Sequence, residues 1–214
     1  MKIKNKLLGI IPIICILIFV NNICLKKFTE SNENKYLILV NKDHPLPFNY
    51  EPKDLVKPNI RFLNSTKDES RYMDKEVAKA LECLFKEAQN DNITLIGSSA
   101  YRSYKDQVKI FKDSIKDKGL NYTKNYVAKP GKSEHQSGIA IDITNESRSM
   151  SKTSKEAQWL SSNAYRFGFI LRYPEGKESI TGYNYEPWHV RYVGKDVAKY
   201  IYDNNITLEE YLNK

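Results

Sequence analysis

The sequence predicts an α+β fold: a small, mainly antiparallel sheet with helices packed on it, in one domain. Three observations lead there. Helical periodicity dominates the first half of the chain, whereas short strand-like runs cluster in the second. No internal repeat is present, and the strands do not alternate regularly with helices as a parallel sheet requires. The 214 residues suit one domain plus a short appendage, and 41% hydrophobic residues supply a core.

The elements follow in order. Lys2, Lys4 and Lys6 precede an uncharged run from Leu7 to Leu25, and residues 1–27 contain no acid. The apolar part, Leu7 to Val20, is shorter than the roughly 20 residues of a spanning helix and also suits a signal peptide. No small-x-small cleavage site follows it, so residues 1–27 read as an uncleaved membrane anchor, with a signal segment as the alternative. The positive-inside rule keeps its lysines in the cytoplasm and puts the domain outside the membrane. Residues 28–35 read as a polar linker, and residues 36–214 as the domain. Tyr36–Val40 is a strand candidate. Pro45, Pro47, Pro52 and Pro58 then impose an irregular surface loop, and His44 within it reads as a surface residue.

A helix is predicted from Ser70 to Gln89, with Met73, Val77, Leu81, Leu84 and Ala88 as its buried stripe. Ile93–Ile96 is a strand ending at Gly97. Ser103, with Asp106 three residues on, caps the next helix, so Arg102 is fixed at a strand-to-helix junction. Lys129–Lys132 is a turn. Ile139, Ile141 and Ile143 alternate with Ala140 and Asp142, a strand with Asp142 on its less apolar face. Thr153 and Glu156 form a capping box for a helix that stops at Gly168. Residues 169–173 and 188–193 are strands, with Trp188 and Tyr192 expected in the core. A helix over 196–203 and a short one capped by Thr207 and Glu210 close the chain.

Charge and cysteines narrow the function. Five of the eight net positive charges lie in residues 1–27, so the rest carries a mild +3. No basic run interleaved with aromatics appears, so no nucleic-acid partner is expected. Cys83 is the one thiol of the domain, so neither an internal disulfide nor a cysteine metal site can form, and Cys83 is expected to pack beside the helix stripe.

Two of the three histidines stand in polar, punctuated segments: Ser133-Glu134-His135-Gln136-Ser137-Gly138 leading to Asp142, and Glu186-Pro187-Trp188-His189. Two imidazoles and one carboxylate fit a catalytic zinc set, which takes three protein ligands and leaves one position for water. Spacing alone also allows two hydrogen-bonded structural histidines. Glu186 precedes His189 by an odd offset, so it reaches the same side only if Pro187 breaks the strand.

These segments resemble the VanY-like D-alanyl-D-alanine carboxypeptidases, a family of bacterial zinc peptidases. The resemblance extends to Leu39-Val40-Asn41-Lys42 with Pro45-Leu46-Pro47, to Ser99-Ala100-Tyr101-Arg102-Ser103 with Gln107, and to Gly168–Pro174 with Gly176-Lys177 and Thr181-Gly182. It runs from about Tyr36 to the C-terminus. It implies one zinc ion per chain bound by His135, Asp142 and His189, with Glu186 as the base. Arg102 then stabilises the oxyanion or binds substrate. Gln107, Ser133 and Ser137 are candidates to hold the substrate's terminal carboxylate, or serve local capping. Arg172 and Arg191 are ion-paired scaffold or site. The implied substrate is a peptidoglycan stem peptide losing its C-terminal D-Ala. Two alternatives remain at this point: an L,D-carboxypeptidase acting on tetrapeptide stems, and a non-catalytic anchored wall-binding protein. No obligate protein partner is implied.

Overall fold

The computed structural model describes residues 35–213. The expected anchor and most of the expected linker lie outside these residues. The chain divides into a unit ending at Ile38 and a compact unit, Leu39–Lys214.

The expected strand over residues 36–40 is absent. Lys35–Leu37 is a 3-10 turn, and residues 38–40 have no regular structure. The prolines that follow keep the next stretch irregular, and Leu46 N–H ties it down by donating to the Gly131 carbonyl at 2.7 Å. Two short strands, β1 (Leu55–Val56) and β2 (Met73–Asp74), pair antiparallel. The first long helix, α1 (Lys75–Asn90), begins five residues later than the periodicity predicted. Met73 is buried, but from β2. Asp74 stops the helix from extending backwards: its carboxylate accepts from Glu76 N–H and Val77 N–H at 3.0 and 3.3 Å. Val77, Leu81, Leu84 and Ala88 are buried as predicted. Cys83 is not packed; it lies on the exposed face of this helix.

The main sheet contains β3 (Ile96–Ser99), β4 (Ala140–Thr144), β5 (Phe169–Leu171) and β6 (His189–Tyr192). Its order is β3-β4-β6-β5 and every pairing is antiparallel, in agreement with the α+β expectation. β3 lies three residues beyond the predicted run, because Ile93 N–H is taken by the Ala88 carbonyl at the helix end. Between β3 and β4 stand α2 (Tyr104–Tyr126), capped by Ser103 and broken at Gly119, and a 3-10 turn, Glu134–Ser137. After β4 comes α3 (Lys155–Asn163), continued by a 3-10 turn, Ala164–Phe167, that ends at Gly168. The predicted Thr153–Glu156 box does not form. Ser154 is the cap residue, and Glu156 is buried, accepting from Asn145 Nδ2 at 3.1 Å. A short helix, α4 (Glu178–Thr181), precedes β6, and α5 (Lys195–Asn204) and α6 (Leu208–Leu212) follow it. The Thr207–Glu210 capping box is present.

Strand alternation gives the sheet two faces. Ile141, Ile143 and Val190 are fully buried on one, with Phe169 and Tyr192 in edge-to-face contact beside them. α3 and α5 pack against β5 on the way to closing this core. Each fully buried Ile or Leu contributes about 1.5–3 kcal/mol. The other face carries Asp142, His189 and Arg191, and it is there that polar residues meet.

Candidate active site

The sheet register assembles the site. Asp142 of β4 is the cross-strand partner of His189 in β6 and of Ser99 in β3, so the three side chains lie side by side on one face. A bulge between Gly97 and Ser99 sets the aim of Ser99. His135 comes from the 3-10 turn. Its carbonyl accepts from Arg102 N–H at 3.1 Å, which locks the turn to the junction after β3. Gly138 ends the turn at φ 74°, and a Cβ there would meet Leu55 Cδ2 at 2.9 Å. Only glycine fits that left-handed, crowded position.

The nitrogen and oxygen atoms of His135, Asp142 and His189 converge within 4.8 Å of one another. His135 Nε2 lies 3.3 Å from Asp142 Oδ2, and His189 Nδ1 lies 3.0 Å from Asp142 Oδ1. The outer nitrogens are committed elsewhere. His135 Nδ1 faces the Ala100 carbonyl at 2.7 Å, and a carbonyl can only accept, so this nitrogen carries the proton. His189 Nε2 faces Glu134 Oε2 at 3.1 Å. Burial alone would raise Glu134, but Arg172 and Arg191 outweigh it and hold the carboxyl well below its usual range, so Glu134 also accepts. With the outer nitrogens protonated, the inner nitrogens are the ones left to offer lone pairs to an ion, His189 Nδ1 after it gives up the proton it shares with Asp142. Two imidazole nitrogens and one hard oxygen, each oriented by an outer partner, fit a zinc ion. Without a metal, burial lowers His189 but its bonds to Asp142 and Glu134 prevail, and its pKa rises to about 9. Burial also opposes Asp142, which the two histidines keep well below its ordinary value.

Glu134 was not singled out from the sequence, although it adjoins His135. Its other oxygen accepts from Arg172 Nε and Arg191 Nη1, each at 2.7 Å. Arg172 also grips Glu209 with two hydrogen bonds, at 2.9 and 2.6 Å, and Asn41 donates to the same carboxylate. Arg172 and Arg191 are thus ion-paired scaffold behind the ligands. An acid beside a ligand, matched with two apolar-flanked arginines, is the signal that could have revealed this cluster.

A cleft of about 160 Å³ opens over the three ligands, lined also by Arg102, Ser133, Glu186 and Trp188. Pro187 and Trp188 form a turn, closed by His189 N–H donating to the Glu186 carbonyl at 3.3 Å, and β6 begins only at His189. The strand break that Glu186 needs is present. Trp188 consequently lines the cleft, not the core. Burial drives the Glu186 pKa up to about 8. Arg102 is gripped from behind: Nη1 donates to Gln107 Oε1 at 2.9 Å and Nη2 to Ser99 Oγ at 3.1 Å, with Asp142 Oδ2 at 3.6 Å. Its buried Nε–H has no protein partner among the described residues. Gln107 spends its amide on the Ala128 carbonyl at 2.7 Å and its oxygen on Arg102, and does not line the cleft. Its expected substrate contact gives way to holding Arg102. Ser137 is likewise turned away: its hydroxyl donates to the Glu134 carbonyl inside the turn. Ser133 does reach the cleft wall.

Comparison with known proteins places these features in context. A family model described as VanY: D-alanyl-D-alanine carboxypeptidase matches residues 70–195. The bifunctional D-Ala-D-Ala dipeptidase and D-Ala-D-Ala carboxypeptidase VanXYC of Enterococcus gallinarum is 41% identical over 183 residues, which cover 82% of this chain and 92% of that protein. The solved LdcB LD-carboxypeptidase is similar at 48% identity and a TM-score of 0.76, over 82% of this chain and 85% of that one. A vancomycin resistance D,D-pentapeptidase VanY, solved in complex with Zn(II), is similar at 37% identity and a TM-score of 0.70, over 83% of this chain and 99% of that one.

Proposed function

This chain belongs to the VanY family of D-alanyl-D-alanine carboxypeptidases, and from that premise we infer that it is a zinc-dependent D,D-carboxypeptidase removing the C-terminal D-Ala from peptidoglycan stem peptides. One observation carries the reading: three ligand atoms converge within 4.8 Å in a cleft that also holds a buried carboxyl and a buried guanidinium. A binding module needs no such base, which argues against the non-catalytic alternative.

His135, Asp142 and His189 would hold the ion. When bound, zinc supplies Lewis acidity and lowers the pKa of a water at its open position to roughly 7. Glu186 accepts the proton of the attacking water and returns it to the leaving amine nitrogen. Its burial holds a proton tightly, and a dication held by the three ligands would favour the ionised form, so the carboxyl can serve both steps. Arg102 faces the scissile carbonyl oxygen, where negative charge develops. Ser99 and Gln107 fix its fork, and its Nε–H remains for an oxygen brought by the substrate. Ser133 on the cleft wall is placed to meet the terminal carboxylate.

The likeness to the LdcB LD-carboxypeptidase, at 48% identity, keeps a second reading in which a tetrapeptide stem is cut. Incubating the purified protein with defined pentapeptide and tetrapeptide muropeptides, with and without chelator, and weighing the products tests both. D-Ala loss from the pentapeptide that chelator abolishes is the expected result. Loss from the tetrapeptide alone selects the second reading, and no loss from either refutes both.

We also propose that residues 1–27 tether the enzyme with its domain outside the membrane. The support is the lysine-led uncharged run. Among the described residues no helix is long and apolar enough to cross a membrane. External protease should reach the domain in intact cells; protection until lysis would refute export.

A further inference from the structure

We propose that a second pocket, walled by Lys42, Lys124, Lys129 and Lys132, binds a free carboxylate of the stem peptide upstream of the scissile bond. This deepens the function proposed above and rests on it for the identity of the substrate. The pocket has a volume of about 240 Å³, with Phe111 and Tyr183 among its apolar lining, and no carboxylate is among the described residues that line it. Four lysines around one concavity with no lining acid make it a site for an anion.

Two of the lysines are held in place and two are available. Lys42 Nζ donates to the Gly182 carbonyl and, at 3.1 Å, to the Lys124 carbonyl, and it stands 4.5 Å from the centre of the Tyr183 ring. Lys132 Nζ donates to the Lys42 carbonyl. Lys124 and Lys129 are exposed, and among the described residues their ammonium groups have no partner. Burial pulls the Lys42 ammonium below its ordinary pKa; Asp43 opposes this, and the like charge of Lys129 adds to it. An anion in the pocket relieves that repulsion.

The pocket adjoins the cleft, since Val127 and Tyr183 line both. The Tyr183 ring lies 4.9 Å from that of Tyr173, which lies 5.0 Å from that of His189. With Lys42 against Tyr183, these contacts in series span no more than four to five extended residues, at roughly 3.4 Å each. A carboxypeptidase substrate has one residue beyond the scissile bond and its remaining length before it. The cleft itself takes the one downstream residue, at Arg102 and Ser133 as proposed above, which leaves the lysines to an upstream part of the stem. A γ-linked D-glutamyl residue carries a free α-carboxylate at such a position. Its side-chain linkage leaves that group off the main path of the peptide, able to enter a side pocket.

The test compares two pentapeptides that differ only in this group, L-Ala-γ-D-Glu-L-Lys-D-Ala-D-Ala and its α-carboxamide, on the wild-type protein and on Lys124→Gln/Lys129→Gln. Hydrogen bonds to charged groups, discounted for exposure, give about a tenfold preference for the carboxylate in the wild type, carried by KM. The double variant should bring the ratio to about one, and added salt should shrink it in the wild type. Equal KM for both peptides on the wild type would overturn the proposal, as would a preference that survives in the double variant. Equilibrium binding of the same pair to Glu186→Gln keeps the outcomes apart. If no peptide is hydrolysed, the enzymatic reading fails, and the binding ratio still decides whether the pocket takes the carboxylate.

Discussion

Replacing Glu134 by glutamine removes one negative charge with almost no change of shape. The carboxylate meets Arg172 and Arg191 at 2.7 Å each and His189 at 3.1 Å, and all of these side chains are buried. Breaking a buried ion pair costs about 3–5 kcal/mol, since the surviving charge stays desolvated. Arg172 keeps Glu209 through two hydrogen bonds, so the lower end applies, about 3 kcal/mol. For a domain of this size that lowers the melting temperature by roughly 6–12 °C. A second effect falls on the metal. His189 loses the anion that fixes its proton on Nε2 and turns Nδ1 inward, and losing such an outer partner weakens metal binding by about 10–100-fold. Denaturant unfolding of the metal-free protein measures the first, and competition for zinc against a chelator of known affinity measures the second. Stability within about 0.5 kcal/mol of wild type, the range of an inert surface change, would refute the charge argument. Undiminished zinc affinity would refute the orienting role.

Three further outcomes follow from the same geometry. Glu186→Gln should load zinc normally and lose about 10²–10⁴ in turnover, by steady-state assay with metal analysis; near-normal activity would remove Glu186 from the chemistry. Zinc binding should strengthen as pH rises toward about 9, because His189 in the metal-free site holds its proton up to there and the ion must displace it. The same proton stabilises the metal-free fold, fully below the unfolded histidine pKa of about 6.5 and no longer once pH passes the folded value. Calorimetry in buffers of different ionisation enthalpy should show proton release at pH 7, and zero release would contradict the His189 assignment. Arg102→Ala should lower kcat and kcat/KM together by roughly 10²–10³, and Arg102→Lys should restore little, since one ammonium cannot reproduce the fork that Gln107 and Ser99 grip. An effect confined to KM would move Arg102 from the oxyanion to the terminal carboxylate.

Much of the site was legible because its signals are local. The Ile139–Ile143 alternation placed Asp142 on the polar face, Pro187 marked the break that Glu186 requires, and Ser103 fixed the start of the helix after Arg102. The errors share a cause. Tyr36–Val40 has the composition of a strand but takes no regular strand structure beyond the 3-10 turn at Lys35–Leu37. Met73 fits the helical stripe, yet Asp74 competes for the first-turn N–H groups and moves the start. Glu156 fits a capping box, yet Asn145, eleven residues earlier, takes its carboxylate. In each case a hydrogen-bonding partner, present or missing, decides what the hydropathy pattern does not register. Glu134, Arg172 and Glu209 are the extreme case, because their whole meaning lies in contacts that span the chain.

The pairing of Asp142 with His189 has a consequence for how the protein matures. Side chains on a strand alternate sides, so a slip of one position between β4 and β6 would carry His189 to the opposite surface while keeping most ladder bonds possible. Such a misaligned chain could be compact and still hold no ion. Zinc would then be captured only by molecules whose strands have met in the correct phase, and so would select for sheet alignment. Metal content per chain would then report the fraction of a preparation that is correctly threaded.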